Sequence, residues 1–202
     1  MNLALSREMK KQPTIETKRL ILRPFAVTDA ADVQRLAGDR AIADTTVNVP
    51  HPYEDGFAES WIGTHRLNFD NGTDVHFAIT IKPDGQLVGA ISLMGMVSGH
   101  QAELGYWIGK PYWNRGYCTE ASCAVLAHAF SKLGLIRVHA CHFAGNPASG
   151  RVLQKIGMAY EGCRRHHVRK WDKPVNLEMY GILEAEWFGS YNAFTGDGDQ
   201  RD

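Results

Sequence analysis

The sequence predicts a single α/β domain built on a mixed, mostly antiparallel sheet of about seven strands, with helices on both faces. Three alternating apolar segments follow one another closely between residues 75 and 109, which indicates an antiparallel meander. A helical segment at 117–133 then precedes another strand, and a strand after a helical crossover usually lies parallel to the strand before it. No flexible linker divides the 202 residues, so one domain is expected.

Periodicity and cap residues predict the individual elements in order. A strand at 15–23 ends at Pro24, a helix near 29–37 has Thr28 as its N-cap, and a second helix follows Pro52. The meander strands are 75–81, 87–97 and 102–109, with the turn Pro83-Asp84-Gly85 between the first two. After the helix at 117–133 come a strand at 136–143, a helix at 147–156 with Asn146 as N-cap, and strands near 158–168 and 175–184.

The ends of the chain contrast with its centre. Residues 1–13 are polar and aperiodic, as is the end of the C-terminal tail, so we expect a flexible N-terminus at 1–13, an ordered domain at 14–188 and a polar tail at 189–202. The start carries no signal-peptide cleavage site, and no stretch approaches the roughly 20 apolar residues of a membrane span. These features predict a cytoplasmic protein without a membrane partner.

Charge and cysteine content exclude further classes. The 22 Lys and Arg balance the 22 Asp and Glu, so the sequence gives no electrostatic basis for a nucleic-acid partner. The cysteines form no Cys-x-x-Cys pair, which favours reduced thiols over disulfides; they are Cys118, Cys123, Cys141 and Cys163.

The segment with the most chemical information leads from a strand through Arg115-Gly116 into a helix that begins at Tyr117. A helix N-terminus offers unpaired N–H groups and about half a positive charge, so it can hold a phosphate. Gly116 would allow close approach of the backbone, and Arg115 would add a charge-assisted contact. A glycine in such a turn is more often only a turn, so a second motif has to support this interpretation.

That second motif is Asn-Pro-Ala-Ser-Gly-Arg-Val-Leu-Gln-Lys-Ile-Gly-Met at 146–158. Together with Glu-Leu-Gly-Tyr-Trp at 103–107 and Trp-Asn-Arg-Gly-Tyr-Cys-Thr-Glu-Ala at 113–121, it resembles the GNAT superfamily of N-acetyltransferases, and within it the ribosomal-protein N-terminal acetyltransferases. The resemblance extends from about Thr14, where Glu-Thr-x-Arg-Leu-x-Leu-Arg is also typical, to about Glu186. It implies transfer of an acetyl group from acetyl-CoA, the co-substrate, to a primary amine by direct attack through a tetrahedral intermediate, without a metal.

The resemblance also implies where coenzyme A binds. The sheet should splay between strands 102–109 and 136–143, and the pantetheine arm should pair with backbone near Trp107 and Ile108. Asn146 matches a residue that contacts CoA or holds the acceptor side, although it could be only an N-cap. The diphosphate should lie on the loop and helix start formed by Trp113, Asn114, Arg115, Gly116, Tyr117, Cys118 and Thr119. Trp113 replaces the usual Gln or Arg, and Cys118 replaces the usual Gly or Ala.

Two residues are the catalytic candidates. Ser149 matches a serine that protonates the CoA sulfur, and the alternative is a helix-capping hydroxyl. Glu103 matches a carboxylate that accepts the amine proton, and the alternative is a solvated charge at a strand edge. A glutamate of some relatives corresponds to Val168, which leaves Glu103 as the better base. Weaker candidates for the base are His76, His166 and His167, and a backbone N–H near Ile108 is the candidate oxyanion donor.

Other clusters have simpler interpretations. His139, Cys141, His142 and Cys163 include metal-ligand types, but no pair has zinc-finger spacing and His142 points away from its neighbours on the strand, so packing is favoured. The basic run at 164–170 could attract an acidic acceptor or form a solvated face. Tyr106, Trp107, Tyr112, Trp113 and Tyr117 are expected mainly to pack, with some lining the acyl pocket.

The acceptor amine is the main open question. A protein α-amino group has a pKa of about 7.7 and a lysine of about 10.4, so a site with one modest base suits a protein or peptide N-terminus better. A small-molecule amine, a non-catalytic acyl-CoA-binding regulator and a general nucleotide-binding module stay open as alternatives. Exposed sheet edges near the C-terminal strands also leave a homodimer open.

Overall fold

The computed structural model describes residues 11–195, which contain an eight-stranded sheet in the order β1-β2-β3-β4-β5-β6-β8-β7. The strands are β1 (Ile15–Glu16), β2 (Leu20–Arg23), β3 (Val75–Ile81), β4 (Leu87–Val97), β5 (Gln101–Ile108), β6 (Arg137–Phe143), β7 (Ala159–Lys170) and β8 (Lys173–Leu183). The helices are α1 (Ala30–Ala37), α2 (Arg40–Ala43), α3 (Phe57–Asn71), α4 (Tyr117–Ser131), α5 (Pro147–Lys155) and α6 (Glu184–Thr195), with 3-10 turns at Val27–Asp29 and Lys110–Tyr112.

The sheet is mixed and mostly antiparallel, as predicted, and its one parallel pair creates an opening. Strands β1 to β5 pair antiparallel in sequence, and β6, β8 and β7 form a second antiparallel set. The two sets meet where Gln101–Glu103 of β5 pairs parallel with Arg137–His139 of β6. From Leu104 onward β5 keeps only its partner β4, so the two strands part and leave a cleft between them.

Helices cover both faces of the sheet, again as predicted. On one face a core cluster joins Phe77 and Ile91 of the sheet to Leu126 of α4 and Leu153 of α5. On the other face α1 and α3 pack against Ala78 and Leu87. The cleft between β5 and β6 therefore lies between two packed helical layers.

Three predicted details differ from the structure. The strand predicted at 15–23 is the hairpin β1–β2, because the Thr17 hydroxyl accepts the Leu20 N–H at 2.9 Å and closes a turn. This hairpin accounts for eight strands where about seven were predicted. The prediction of Thr28 as an N-cap was wrong: Thr28 lies inside a 3-10 turn, and the Asp29 carboxylate accepts the Ala26 N–H instead.

Helix α6 runs from Glu184 to Thr195 and therefore crosses residue 188, where the domain was expected to end. Trp187 packs against the main core cluster. Of the expected flexible N-terminus, residues 1–10 lie outside the described residues, as do 196–202 of the expected tail, whereas the Gln12 side chain donates to the His76 carbonyl at 2.7 Å.

Candidate active site

The open edge of β5 presents backbone groups to the cleft. The Gly109 N–H donates to the Val88 carbonyl of the β4 side at 2.8 Å. Because backbone groups alternate in direction along an antiparallel strand, those of Tyr106 and Ile108 point to the opposite, open edge. The Trp113 indole N–H donates to the Ile108 carbonyl at 2.6 Å. By the same alternation Trp107 directs its backbone toward β4, and its side chain reaches the cleft.

The N-terminus of α4 forms a concave backbone surface beside this edge. Asn114 and Gly116 both adopt left-handed conformations, with φ of 60° and 76°. Helix α4 begins at Tyr117 without a side-chain cap, so the first-turn N–H groups are available to an anion. Positive φ is least costly for glycine, which gives Gly116 a conformational reason to occupy this turn.

A network of hydrogen bonds from the first hairpin braces this surface. Glu120 in the first turn of α4 accepts the Thr17 hydroxyl at 2.6 Å, the Arg19 N–H at 2.8 Å and Arg19 Nε at 2.6 Å. Arg19 Nη1 then donates to the Arg115 carbonyl at 2.9 Å, and the guanidinium lies 4.9 Å from the Tyr117 ring centroid. Burial opposes ionisation of Glu120, but the hydrogen bonds from Thr17 and Arg19 outweigh it and lower its pKa.

Sequence reasoning assigned no role to Thr17, Arg19 or Glu120. All three lie inside the motifs that carry the family resemblance, Glu-Thr-x-Arg-Leu and Thr-Glu-Ala. The motifs were therefore the available signal, but the contact between two segments about 100 residues apart was not visible in them.

Ser149 lies at the opposite side of the cleft, in the first turn of α5. Its N–H donates to Asn146 Oδ1 at 3.2 Å, which confirms Asn146 as the N-cap. Its hydroxyl is 2.9 Å from the Tyr106 hydroxyl. Burial raises the pKa of Tyr106 far above its usual value, so Tyr106 keeps its proton. The structure thus adds Tyr106, predicted mainly to pack, to the hydrogen bonding around Ser149.

Glu103 sits at the last parallel pair before the strands part, opposite His139. The Cys141 thiol donates to its Oε1 at 3.5 Å. Burial, followed by the charge of Glu103, raises the pKa of Cys141 to about 12, so the sulfur stays protonated. Burial likewise raises the pKa of Cys118 to about 12.

A cavity of about 810 Å³ occupies the cleft and brings the predicted residues together. It is lined by the two catalytic candidates, Ser149 and Glu103, and by the predicted CoA-binding residues Trp107, Ile108, Trp113, Asn114, Arg115, Gly116, Tyr117, Cys118, Thr119 and Asn146. His76 also lines it. His166 and His167 lie exposed on β7 and are not among the residues that line the cavity.

Comparison with known proteins decides the family. Residues 19–159 match the family model described as an acetyltransferase (GNAT) domain. The chain belongs to the GNAT family. This acetyltransferase is 30% identical to the uncharacterized N-acetyltransferase YnaD of Bacillus subtilis over 86% of this chain and 98% of that protein. The predicted resemblance is thereby confirmed, and the chain is an enzyme of the N-acetyltransferase class.

Solved structures give the same fold for this GNAT enzyme. Mycobacterium smegmatis RimJ, solved in complex with a CoA disulfide, superposes with a TM-score of 0.80 at 21% identity over 91% of this chain and 95% of RimJ. RimL, described as a ribosomal L7/L12 alpha-N-protein acetyltransferase and solved with coenzyme A, gives 0.78 at 15% identity over 85% and 98%. Both likenesses concern the fold.

The α3 side of the cavity in this acetyltransferase contains a stacked histidine pair. His65 and His76 have ring centroids 4.1 Å apart, and His76 Nδ1 lies 2.7 Å from the Ser92 hydroxyl. Burial, with a smaller contribution from His76, lowers the pKa of His65 to about 3. Burial also lowers the pKa of His76, partly opposed by Asp74. Both rings are therefore neutral near pH 7.

Among residues 11–195 no group of three or more His, Cys, Asp or Glu side chains is arranged to hold a metal ion. His142 Nδ1 lies 2.8 Å from the Phe143 carbonyl, to which it donates.

Across the described residues no helix has the length and apolar character needed to span a membrane.

Proposed function

We propose that this N-acetyltransferase transfers the acetyl group of acetyl-CoA to the α-amino group at the N-terminus of a protein or peptide. The observation that carries the proposal is the placement of one hydroxyl pair, Ser149 and Tyr106, and one carboxylate, Glu103, on the walls of a single cleft. The fold neighbour RimL, described as an alpha-N-protein acetyltransferase, supports the choice of acceptor.

The residues around the cleft fit acetyl-CoA. The first-turn N–H groups of α4 and the Arg115 side chain bind the diphosphate, because an anion is stabilised by helix-terminal N–H groups and by the helix dipole. The pantetheine arm lies along the open edge of β5 and hydrogen-bonds its backbone as an added strand would. The Ile108 N–H, which points into the cleft, donates to the thioester oxygen and to the oxyanion that replaces it.

The chemistry then needs two proton transfers. The neutral amine attacks the thioester carbon, a C–N bond forms, and Glu103 takes the proton that the nitrogen loses. When the tetrahedral intermediate collapses, the C–S bond breaks and Ser149 donates its hydroxyl proton to the sulfur, giving CoA as a free thiol. The Tyr106 hydroxyl, 2.9 Å away, keeps its own proton and stabilises the Ser149 oxygen by a hydrogen bond until water returns a proton to Ser149 and removes the one held by Glu103.

An α-amino acceptor suits this arrangement because the amine must be neutral to attack. At pH 7 a lysine ammonium costs about 4 kcal/mol more to deprotonate than an α-ammonium. Glu103 is the one carboxylate among the described residues that line the cavity, so the site has a single anionic acceptor for that proton.

The test uses two peptides of one sequence with an internal lysine, one with a free and one with a blocked N-terminus. We expect CoA release, followed as free thiol, only with the free N-terminus, and mass spectrometry should place the acetyl group on the α-nitrogen. Equal turnover of the blocked peptide would contradict the α-amino assignment. Binding of CoA without turnover of any amine would favour a non-catalytic regulator, and equal thermal stabilisation by ADP and CoA would favour a nucleotide-binding module.

A further inference from the structure

The cavity extends beyond Glu103 into a compartment on the side of α1 and α3. Glu103 and Trp107 lie on this face of β5, because side chains alternate along a strand and Trp107 packs with the α1–α3 cluster. We call this compartment the acceptor pocket. Its wall consists of uncharged side chains from α1, α2, the following loop and α3. The apolar and aromatic ones include Val33, Ala37, Ile42, Val49, Tyr53 and Trp61.

The floor of the acceptor pocket is polar but uncharged. Ser92 and His76 lie opposite one another on β4 and β3 and hydrogen-bond each other. His65 backs His76, and neither of its ring nitrogens has a hydrogen-bond partner among the described residues. Burial of both rings opposes their protonation, and Asp74 offsets this only in part at His76, so the floor offers dipoles and no ionic partner.

Charge is distributed unevenly along the cavity. Its cationic lining residues, Arg115, Arg151 and Lys155, lie on the loop before α4 and on α5, and none belongs to the elements that form the wall of the acceptor pocket. Glu103 is the one carboxylate among the described lining residues. The pocket can therefore pair with the reacting ammonium, but it offers no ionic partner to a second charged group.

The wall of the acceptor pocket is fixed by the β7–β8 turn. Lys170 Nζ donates to the carbonyl oxygens of Val49 at 3.0 Å and Val47 at 3.4 Å. The Trp171 indole N–H donates to Asp44 Oδ1 at 2.6 Å. The loop is thus held at both ends of the segment that lines the pocket, and the apolar surface is shaped before the acceptor arrives.

We propose that the acceptor pocket selects an amine that bears an uncharged apolar group, branched aliphatic or aromatic, on the carbon next to the reacting nitrogen, and that it rejects acidic and polycationic amines. This inference rests on the proposed function, because it assigns the side chain of the first residue of the acceptor. An apolar side chain gains the burial of its surface against the wall. A carboxylate or a second ammonium loses its hydration without gaining a partner.

The experiment compares peptides that differ only in their first residue: Leu, Phe, Ala, Asp or Lys, with 3-methylbutylamine and spermidine as a small-molecule pair. We expect kcat/KM for the Leu and Phe peptides to exceed that for the Asp and Lys peptides by roughly 10- to 100-fold. 3-Methylbutylamine should likewise exceed spermidine. Equal or higher kcat/KM for the charged acceptors would overturn the inference while leaving the proposed function intact. Absence of turnover with every amine would reject the proposed function itself.

A charge-introducing variant tests the wall directly. In Val49→Glu a carboxylate replaces a half-buried apolar side chain of the pocket, and a Lys170→Gln background removes the ammonium that otherwise lies beside it. We expect the Leu-to-Lys ratio of kcat/KM to fall at least tenfold relative to Lys170→Gln alone, because the new carboxylate pairs with the lysine ammonium of the acceptor. Val27→Glu makes the same change at a residue that is 64% exposed and lies outside the cavity, and it should keep the original ratio. An unchanged ratio in a folded protein that carries Val49→Glu would contradict the pocket assignment. The order of kcat/KM values among the acceptor peptides, measured on the unmodified protein, tests the proposal without any substitution.

Discussion

Removal of the Ser149 hydroxyl is the perturbation with the clearest expected signature. Ser149→Ala deletes the proposed proton donor to the sulfur but keeps the backbone N–H that Asn146 caps at 3.2 Å, so α5 should stay in place. The Tyr106 hydroxyl also keeps the Ser149 carbonyl as an acceptor at 3.3 Å. A general acid contributes about 100-fold or more to rate, so we expect kcat to fall by at least about 100-fold with little change in the KM for acetyl-CoA.

Tyr106 provides the second arm of this experiment. Because Tyr106 is proposed to act through Ser149, Tyr106→Phe should lower kcat about tenfold in the native background and have almost no effect in the Ser149→Ala background. Thiol release at saturating acetyl-CoA measures both effects. Ser131→Ala, at an exposed helical serine outside the cavity, is the matched control. Additive effects of the two substitutions, or an unchanged kcat in Ser149→Ala, would refute the roles proposed for Ser149 and Tyr106.

Three further predictions test other parts of the site. Glu103→Gln should lower kcat by about 100-fold or more and leave the affinity for CoA unchanged, and a loss of CoA binding with normal kcat would show that Glu103 is not the base. Gly116→Ala should weaken CoA binding and destabilise the fold by about 1–2 kcal/mol, because its φ of 76° is left-handed. Gly56→Ala is the control, because it introduces the same strain at a φ of 80° outside the cavity. The control should leave the CoA affinity unchanged, and calorimetry measures that affinity in both variants. His65→Phe should flatten the loss of stability in acid. The folded pKa of about 3 lies below the ordinary value of 6.5, so between these values the unfolded chain binds more protons and native stability falls as pH falls. Urea titrations between pH 7 and pH 4 measure the free energy of unfolding, and an equally steep fall of that free energy in His65→Phe would contradict this prediction.

Most of the fold could be predicted because it depends on local patterns. The meander, α4 and α5 follow from alternation, helical spacing and cap residues, and their observed bounds lie within one or two residues of the prediction. The hairpin at 15–23 is predicted as one strand because no Gly, Pro, Asn or Asp marks a turn within it. The turn inside it depends on a hydrogen bond of Thr17 with Leu20, which periodicity does not reveal.

The candidate site likewise combines residues that local motifs predict with contacts that they do not predict. The loop proposed to bind CoA and the candidate Ser149 were predicted from motifs whose residues are close in sequence. The Arg19–Glu120 brace joins residues 101 apart, and the contact between Tyr106 and Ser149 joins residues 43 apart. Such contacts depend on how the strands part and how the helices pack, so no local pattern could predict them.

A crystal structure of the protein with bound CoA tests the central claim most directly. We expect the diphosphate to lie on the N–H groups at the start of α4 beside Gly116, and the sulfur to lie within hydrogen-bonding distance of the Ser149 hydroxyl. A diphosphate bound away from this helix, or a sulfur that cannot reach Ser149, would contradict the account of both binding and catalysis.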